Sequence, residues 1–147
     1  MPIIKDKQLI EDSWDFIADN APITTGNISI SIERWQAEKQ TLINREGLLG
    51  LRLNSATDVA EIIADLANFQ LIEVDFPVFG DGRAFTQAKL LRSRYGYQGE
   101  IRAVGHFMRD QVCYLSKVGV NAFNPADWQD LAGAITSLDD FSVSYQQ

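Results

Sequence analysis

The sequence QLIEVDFPVFGDGRAFTQAKLLRSRYG, residues 70–96, decides the fold class. Residues 70–76 are rich in apolar side chains and predict a buried strand, which Pro77 ends because proline has no N–H to donate to a sheet. A helix is predicted from about Gly82 to Tyr95, where apolar residues recur every three or four positions and therefore share one face. A strand followed directly by a helix is the repeating unit of α/β proteins.

The same strand–helix unit is predicted four more times between residues 27 and 138. The four further strands are expected at residues 28–32, 50–53, 100–104 and 120–123. The helices after them are expected to bury one side of residues 33–43, then Val59, Ile62, Ile63 and Leu66, then Met108, Val112 and Leu115, and finally Trp128, Leu131, Ile135 and Leu138.

Five successive units predict a five-stranded, mainly parallel sheet, because parallel strands need crossover connections. We expect helices on both faces and hence a three-layer α/β/α sandwich. The economical strand orders are the flavodoxin-like 2-1-3-4-5 and a minimal Rossmann-like order, and the sequence leaves both open.

The two ends of the chain are predicted to add little to this core. Residues 1–26 read as a small N-terminal β-hairpin and a linker, and residues 139–147 as a tail that adds an edge strand through Phe141, Val143 and Tyr145. A length of 147 residues is typical of a single domain.

Charge and cysteine content exclude several classes of function. The formal charge is −7, which disfavours general attraction to nucleic acid or to anionic membranes. The one cysteine, Cys113, excludes an intrachain disulfide and multi-cysteine metal or iron–sulfur sites. The chain has no signal-peptide-like apolar run at its start and no long apolar segment, so we expect a cytoplasmic protein.

A longer run carries a family resemblance. Residues 74–123 read VDFPVFGDGRAFTQAKLLRSRYGYQGEIRAVGHFMRDQVCYLSKVGVNAF. This run resembles the bacterial family called domain of unknown function 934, and the similarity extends nearly from end to end. Members of that family are described as probable oxidoreductases involved in sulfite reduction, because they accompany sulfite reductase. The resemblance therefore implies a role in sulfate assimilation and cysteine biosynthesis.

The loops after the strands hold the candidate binding residues, because ligands of open α/β sheets sit beyond the carboxyl ends of the strands. In the first loop, a helix N-terminus and a guanidinium favour sulfite, sulfate or phosphate. The second loop is expected to lie beside the first and to add an imidazole for acid–base chemistry. The predicted anion- or substrate-binding residues are Asp81, Gly82, Arg83, His106, Arg109 and Gln111.

Structural roles compete with each of these hypotheses. Asp81 could simply cap the helix and pair with Arg83, and Arg109 could pair with Asp110, or Arg102 with Glu100, at the surface. A single histidine such as His106 could equally have a structural role. Cys113 is predicted to be a buried apolar residue. A basic and aromatic face, exposed to dock an acidic redox partner, is predicted from Arg92, Arg94, Tyr95, Tyr97 and Arg102.

No cofactor is established by the motifs. The sequence has no phosphate-binding P-loop, and Phe85 stands where a dinucleotide fingerprint needs its third glycine, so NAD is unsupported. Flavin mononucleotide is compatible with a flavodoxin-like sheet by analogy alone. No metal site is expected.

Three functional hypotheses follow. The first is an accessory protein of assimilatory sulfite reduction that binds a sulfur oxyanion and a redox partner, either sulfite reductase or its electron donor. The second is a flavin-dependent oxidoreductase in its own right, and the third is a non-catalytic ligand-binding or oligomerising domain. Whether the chain is an enzyme, and whether it forms homo-oligomers, stay open at the level of sequence.

Overall fold

A computed structural model of the chain describes residues 2–126, and these residues form a mixed α/β fold around one sheet. Its strands are β1 (Pro2–Lys5), β2 (Gln8–Glu11), β3 (Trp14–Phe16), β4 (Asn27–Ser31), β5 (Leu49–Leu53), β6 (Leu71–Phe76), β7 (Glu100–Gly105) and β8 (Ala122–Pro125). Its helices are α1 (Ile32–Ile43), the 3-10 helix η1 (Val59–Asn68), α2 (Gly82–Ser93), the short 3-10 turn η2 (Arg109–Gln111) and α3 (Val112–Lys117).

The sheet has eight strands in the order β2-β1-β8-β7-β6-β5-β4-β3. Strands β3 to β8 are parallel, and each lies beside its neighbour in sequence. Both predicted orders, the flavodoxin-like 2-1-3-4-5 and the Rossmann-like one, are therefore wrong, since the five predicted strands run 1-2-3-4-5. The prediction of five strands is also wrong, because the N-terminal segment supplies three more.

The described helices form one layer instead of two. Hydrogen bonds join Trp35 of α1 to Asp65 of η1, Gln87 of α2 to the loop before η1, and Arg92 of α2 to the end of α3. Strands β4 to β8 follow one another in sequence order across the sheet. Because crossovers between parallel strands are right-handed, this order brings every connecting helix to the same face. The prediction of helices on both faces fails for residues 2–126. The predicted last helix and the tail strand lie outside the described residues.

The N-terminal hairpin is part of the sheet and not an appendage. Asp6 and Lys7 form its turn with positive φ, and β1 pairs with β8 in antiparallel fashion. Only Asp12 and Ser13 connect β2 to β3, and β3 pairs with β4 at the other edge of the sheet. Three peptide steps span at most about 11 Å, so the two edges of the sheet meet there and the sheet is curled.

The curl gives the sheet two unlike faces. The face under the helices is apolar and forms the main core, which includes Ile30, Leu51, Ile72, Val74 and Phe123. The opposite face, which we call the polar face, carries Ser29, Ser31, Arg52, Glu73, Asp75, Glu100, Arg102 and Asn124 at alternating positions in register. Charged side chains on this face are therefore enclosed by the curled sheet.

Candidate functional site

The first predicted loop forms a capped helix start. The Asp81 carboxylate accepts from the backbone N–H of Arg83 at 3.0 Å, and its two oxygens also accept from Arg83 Nε and Nη2 at 3.1 and 3.0 Å. This contact holds the pKa of Asp81 at about 2, so the cap persists below the usual Asp range and is lost as the pH falls through about 2. This geometry is the one expected if Asp81 only caps the helix and pairs with Arg83. The Arg83 side chain nevertheless remains 63% exposed.

An open cavity of about 540 Å³ with a largely apolar lining lies beside this helix start, and the carboxylate residue Asp58 is part of that lining. Its lining includes Ser55 and Thr57 from the loop after β5, together with Gly82, Arg83 and Gln87 of α2. Hydroxyl groups, a guanidinium and a helix N-terminus are the groups that proteins use to bind small anions. Arg83 and Gly82 thus line one recess together, and the prediction that it binds an anion stays a prediction.

The second predicted loop meets the first at only some of its residues. Gln111 accepts from the backbone N–H of Met108 at 2.7 Å, and it shares a smaller, largely apolar cavity of about 240 Å³ with Asp81 and Gly82. His106 and Arg109 line neither of these two cavities. The structure therefore brings together Asp81, Gly82 and Gln111, while Arg83 faces the larger cavity.

His106 lies instead near a residue that the sequence analysis missed. Its backbone N–H donates to the carbonyl of Phe76 at 2.7 Å, and its ring packs edge-on against Phe79 at 6.1 Å. Asp75, the last polar residue of β6, lies within electrostatic range of His106. Burial raises the pKa of Asp75, and Glu73 raises it further, while Arg52 and His106 oppose the shift.

The polar face holds two groups of buried charges. Arg52 donates from Nε and Nη2 to the two oxygens of Glu73 at 3.2 and 3.1 Å. Arg102 donates to Glu100 and reaches Asp12 at 2.9 Å, at the point where the sheet edges meet. The signal that could have found these residues is a charged side chain in the middle of an apolar strand.

The predicted exposure of the partner-binding face is wrong for Arg102 and Tyr97, which are buried. Arg92 is partly buried and donates to the carbonyls of Gly119 and Tyr97 at 2.9 and 2.6 Å. These arginines can be buried because backbone carbonyls accept from Arg92 and carboxylates accept from Arg102. Arg94, which is exposed and lies 5.8 Å from the ring of Tyr95, is the part of that surface that can still contact a partner.

Tyr97 has a structural role that can be tested. Its hydroxyl donates to the carbonyl of Phe69 at 3.0 Å, and burial raises the pKa of Tyr97. We expect Tyr97→Phe to lower the free energy of unfolding by about 1 kcal/mol, because it leaves a buried carbonyl without its donor. Urea unfolding measures this, with Tyr95→Phe as the half-exposed control. Equal stabilities of the two variants would contradict the assignment.

Cys113 lies in α3 and is buried, as the composition and spacing predict. Burial raises the pKa of its thiol, which disfavours the reactive thiolate.

Three comparisons with known proteins and one property of the helices are available for this chain. No helix within residues 2–126 has the length and apolar character to cross a membrane. Neither the comparison with curated proteins nor that with solved structures gave a match. The family model described as "bacterial protein of unknown function (DUF934)" matches residues 50–147, which include β5 to β8 and both candidate loops. The chain therefore belongs to the DUF934 family of bacterial proteins of unknown function.

Proposed function

We propose that this protein is an accessory protein of assimilatory sulfite reduction that binds a small sulfur oxyanion. The observation that carries the proposal is the 540 Å³ cavity that Arg83 lines together with Gly82, Ser55 and Thr57. The link to sulfite comes from the family resemblance of residues 74–123, and the cavity supplies chemistry that suits such a ligand. Arg83 is the residue expected to contact the anion.

The ion pair with Asp81 is compatible with this role. It uses Nε and Nη2 of Arg83 and holds the guanidinium at the rim of the cavity. An oriented guanidinium loses less conformational entropy on binding than a mobile one. The hydroxyl group of Thr57 lines the same cavity and can donate to an oxygen of a sulfite ion, whereas the Ser55 hydroxyl is bonded to the Asp81 carboxylate.

Partner binding is the second half of the proposal. The surface offered to sulfite reductase or to its electron donor contains Arg94 and Tyr95, which lie on the helix side of the sheet and belong to a locally basic part of an acidic chain. Residues 81–109 carry a local charge of +4, and the exposed guanidinium of Arg94 is the part of that charge that suits an acidic partner on this surface. A flavin-dependent activity has less support, since the flavodoxin-like strand order was its only basis.

Arg83→Ala tests the anion site. We expect it to weaken sulfite binding about tenfold or more, because charge-assisted hydrogen bonds contribute roughly 1.5–3 kcal/mol. Isothermal titration calorimetry with sulfite and sulfate measures the affinity. Arg94→Ala, which removes the same charge from the exposed end of the same helix, is the matched control and should bind as the wild type does. Equal affinity of the Arg83→Ala variant would remove the proposed site.

A further inference from the structure

The polar face opens at its carboxyl end. Residues lower on this face, such as Ser29, Glu73 and Arg102, are buried, whereas Arg52, Asp75 and Asn124 near the ends of their strands are only partly buried. Phe16, whose ring lies 3.8 Å from the Arg52 guanidinium, is 41% exposed. We call this opening, lined by Phe16, Arg52, Asp75 and Asn124, the mouth. Binding sites on parallel sheets form at this end of the strands.

Asp75 differs from the other acidic groups of the polar face. Glu73, Glu100 and Asp12 each form an ion pair, whereas no ion pair of Asp75 occurs among residues 2–126. Its Oδ1 atom lies 2.7 Å from the position that a Cβ on Gly105 would occupy, so the bare backbone of Gly105 lets the carboxylate sit there. Arg52 acts on Asp75 through space, but a partly buried carboxylate that forms no direct ion pair favours a ligand that brings a cation into contact with it.

Arg52 lies diagonally below Asp75 on the neighbouring strand. The register pairs Arg52 with Glu73, which is two residues before Asp75 on β6. Such diagonal neighbours have their Cα atoms about 7–8 Å apart. The contacts of Arg52 with Glu73 use Nε and Nη2, and its side chain is 27% exposed. The mouth therefore presents a carboxylate and a guanidinium side by side.

We propose that the mouth binds a small zwitterion of the α-amino-acid class. Asp75 accepts hydrogen bonds from the ammonium group, and Arg52 donates to the carboxylate. The exposed ring of Phe16 forms the wall against which the side chain of the ligand packs. The titratable groups that face Asp75 are Arg52 from β5, Glu73 from β6 and His106 after β7. Asp75, Arg52 and Glu73 together carry a charge of −1, which favours the ammonium end. This site is separate from the cavity of Arg83.

His106 provides the measurement. It is the only histidine of the chain and lies within electrostatic range of Asp75, so its ring proton resonance is a single, assignable signal that responds to charge at the mouth. We propose to titrate each of the twenty L-amino acids into the full chain and to follow this resonance by NMR. Ethylammonium and acetate, which each carry one of the two charges, are the matched probes.

The expected result is a saturable shift with at least one amino acid, weakened at least tenfold in Asp75→Asn. Acetate should have no effect, and ethylammonium should bind more weakly than the amino acid. Asp110→Asn removes an exposed acidic group from the loop that carries His106 and should leave the affinity unchanged. Asp75→Ser, which is smaller than aspartate, replaces Asp75→Asn if that variant does not fold.

The proposal is overturned if no amino acid shifts the resonance, if acetate shifts it equally, or if Asp75→Asn binds as tightly as the wild type. The Arg83→Ala variant separates this site from the proposed oxyanion site. Amino-acid binding should persist in that variant while sulfite binding is lost. Loss of both in Arg83→Ala would overturn the proposal of a separate site at the mouth.

Discussion

Replacing Arg102 by methionine is expected to lower the free energy of unfolding by about 3–5 kcal/mol, the usual cost of removing one partner from a buried ion pair. The Arg102 side chain is 2% exposed, and its guanidinium donates to Glu100 at 2.8 and 2.9 Å and to Asp12 at 2.9 Å. Methionine fills most of the space but leaves the Glu100 carboxylate buried beside a single, partly exposed cation, Lys5.

The effect is expected to be large because Arg102 acts where the curled sheet closes. Asp12 also accepts from the backbone N–H of Trp14 at 3.0 Å, so one carboxylate links Arg102 of β7 to the first residue of β3. Without Arg102, that carboxylate loses the cation that holds it against the sheet. Strand β3 is then expected to separate from β4 more easily.

Urea unfolding followed by circular dichroism measures the loss. Arg94→Met, the exposed control, should change the stability by less than about 0.5 kcal/mol. The double variant Arg102→Met/Glu100→Gln should recover part of the loss, since it also removes the orphaned charge. A single variant as stable as the Arg94→Met control would show that the ion pairs do not hold the sheet closed.

Local structure was predictable because short-range rules decide it. Strand β6 and helix α2 are confirmed nearly to the residue, since Pro77, Asp81 and Gly96 act on their immediate neighbours. The hairpin turn at Asp6 and Lys7 is confirmed for the same reason. Each of these features depends on residues within a few positions of one another.

Strand order and sheet closure were not predictable in the same way. The strand–helix pattern is compatible with any order of five parallel strands. The sequence of one strand does not indicate which other strand pairs with it. The sequence analysis placed Trp14–Phe16 in the N-terminal hairpin and linker. Its pairing partner β4 begins eleven residues after Phe16, too far along the chain for a local pattern to reveal the pairing. Only the pairing across that linker shows that it closes the sheet.

The candidate site was predicted in part for a related reason. Loop residues such as Arg83 and Gln111 were found because glycine and proline mark loops. Asp75 was missed because it stands inside a strand, where the sequence was interpreted as core. Charged residues within predicted strands, such as Arg52, Glu73 and Arg102, were the available signal that a second polar site exists.

Gly105 offers the sharpest test of how the mouth is built. Its φ is +93°, and a Cβ there would lie 2.5 Å from the carbonyl oxygen of Phe76 and 2.7 Å from Oδ1 of Asp75. We expect Gly105→Ala to cost about 3 kcal/mol, since the left-handed conformation costs roughly 1–2 kcal/mol in a residue with a Cβ and overpacking adds about 1–3 kcal/mol.

Gly80 is the matched control, because its φ is +78° but no atom lies within 4 Å of its Cβ position. Gly80→Ala should therefore cost only the conformational part, about 1–2 kcal/mol. Urea unfolding of both variants isolates the steric contribution as their difference. The extra methyl group in Gly105→Ala must also displace the Asp75 carboxylate, so the ring proton resonance of His106 should shift in that variant and not in Gly80→Ala. Equal losses of stability and an unchanged His106 resonance would mean that Gly105 does not support Asp75. The carboxylate would then have no fixed place at the mouth.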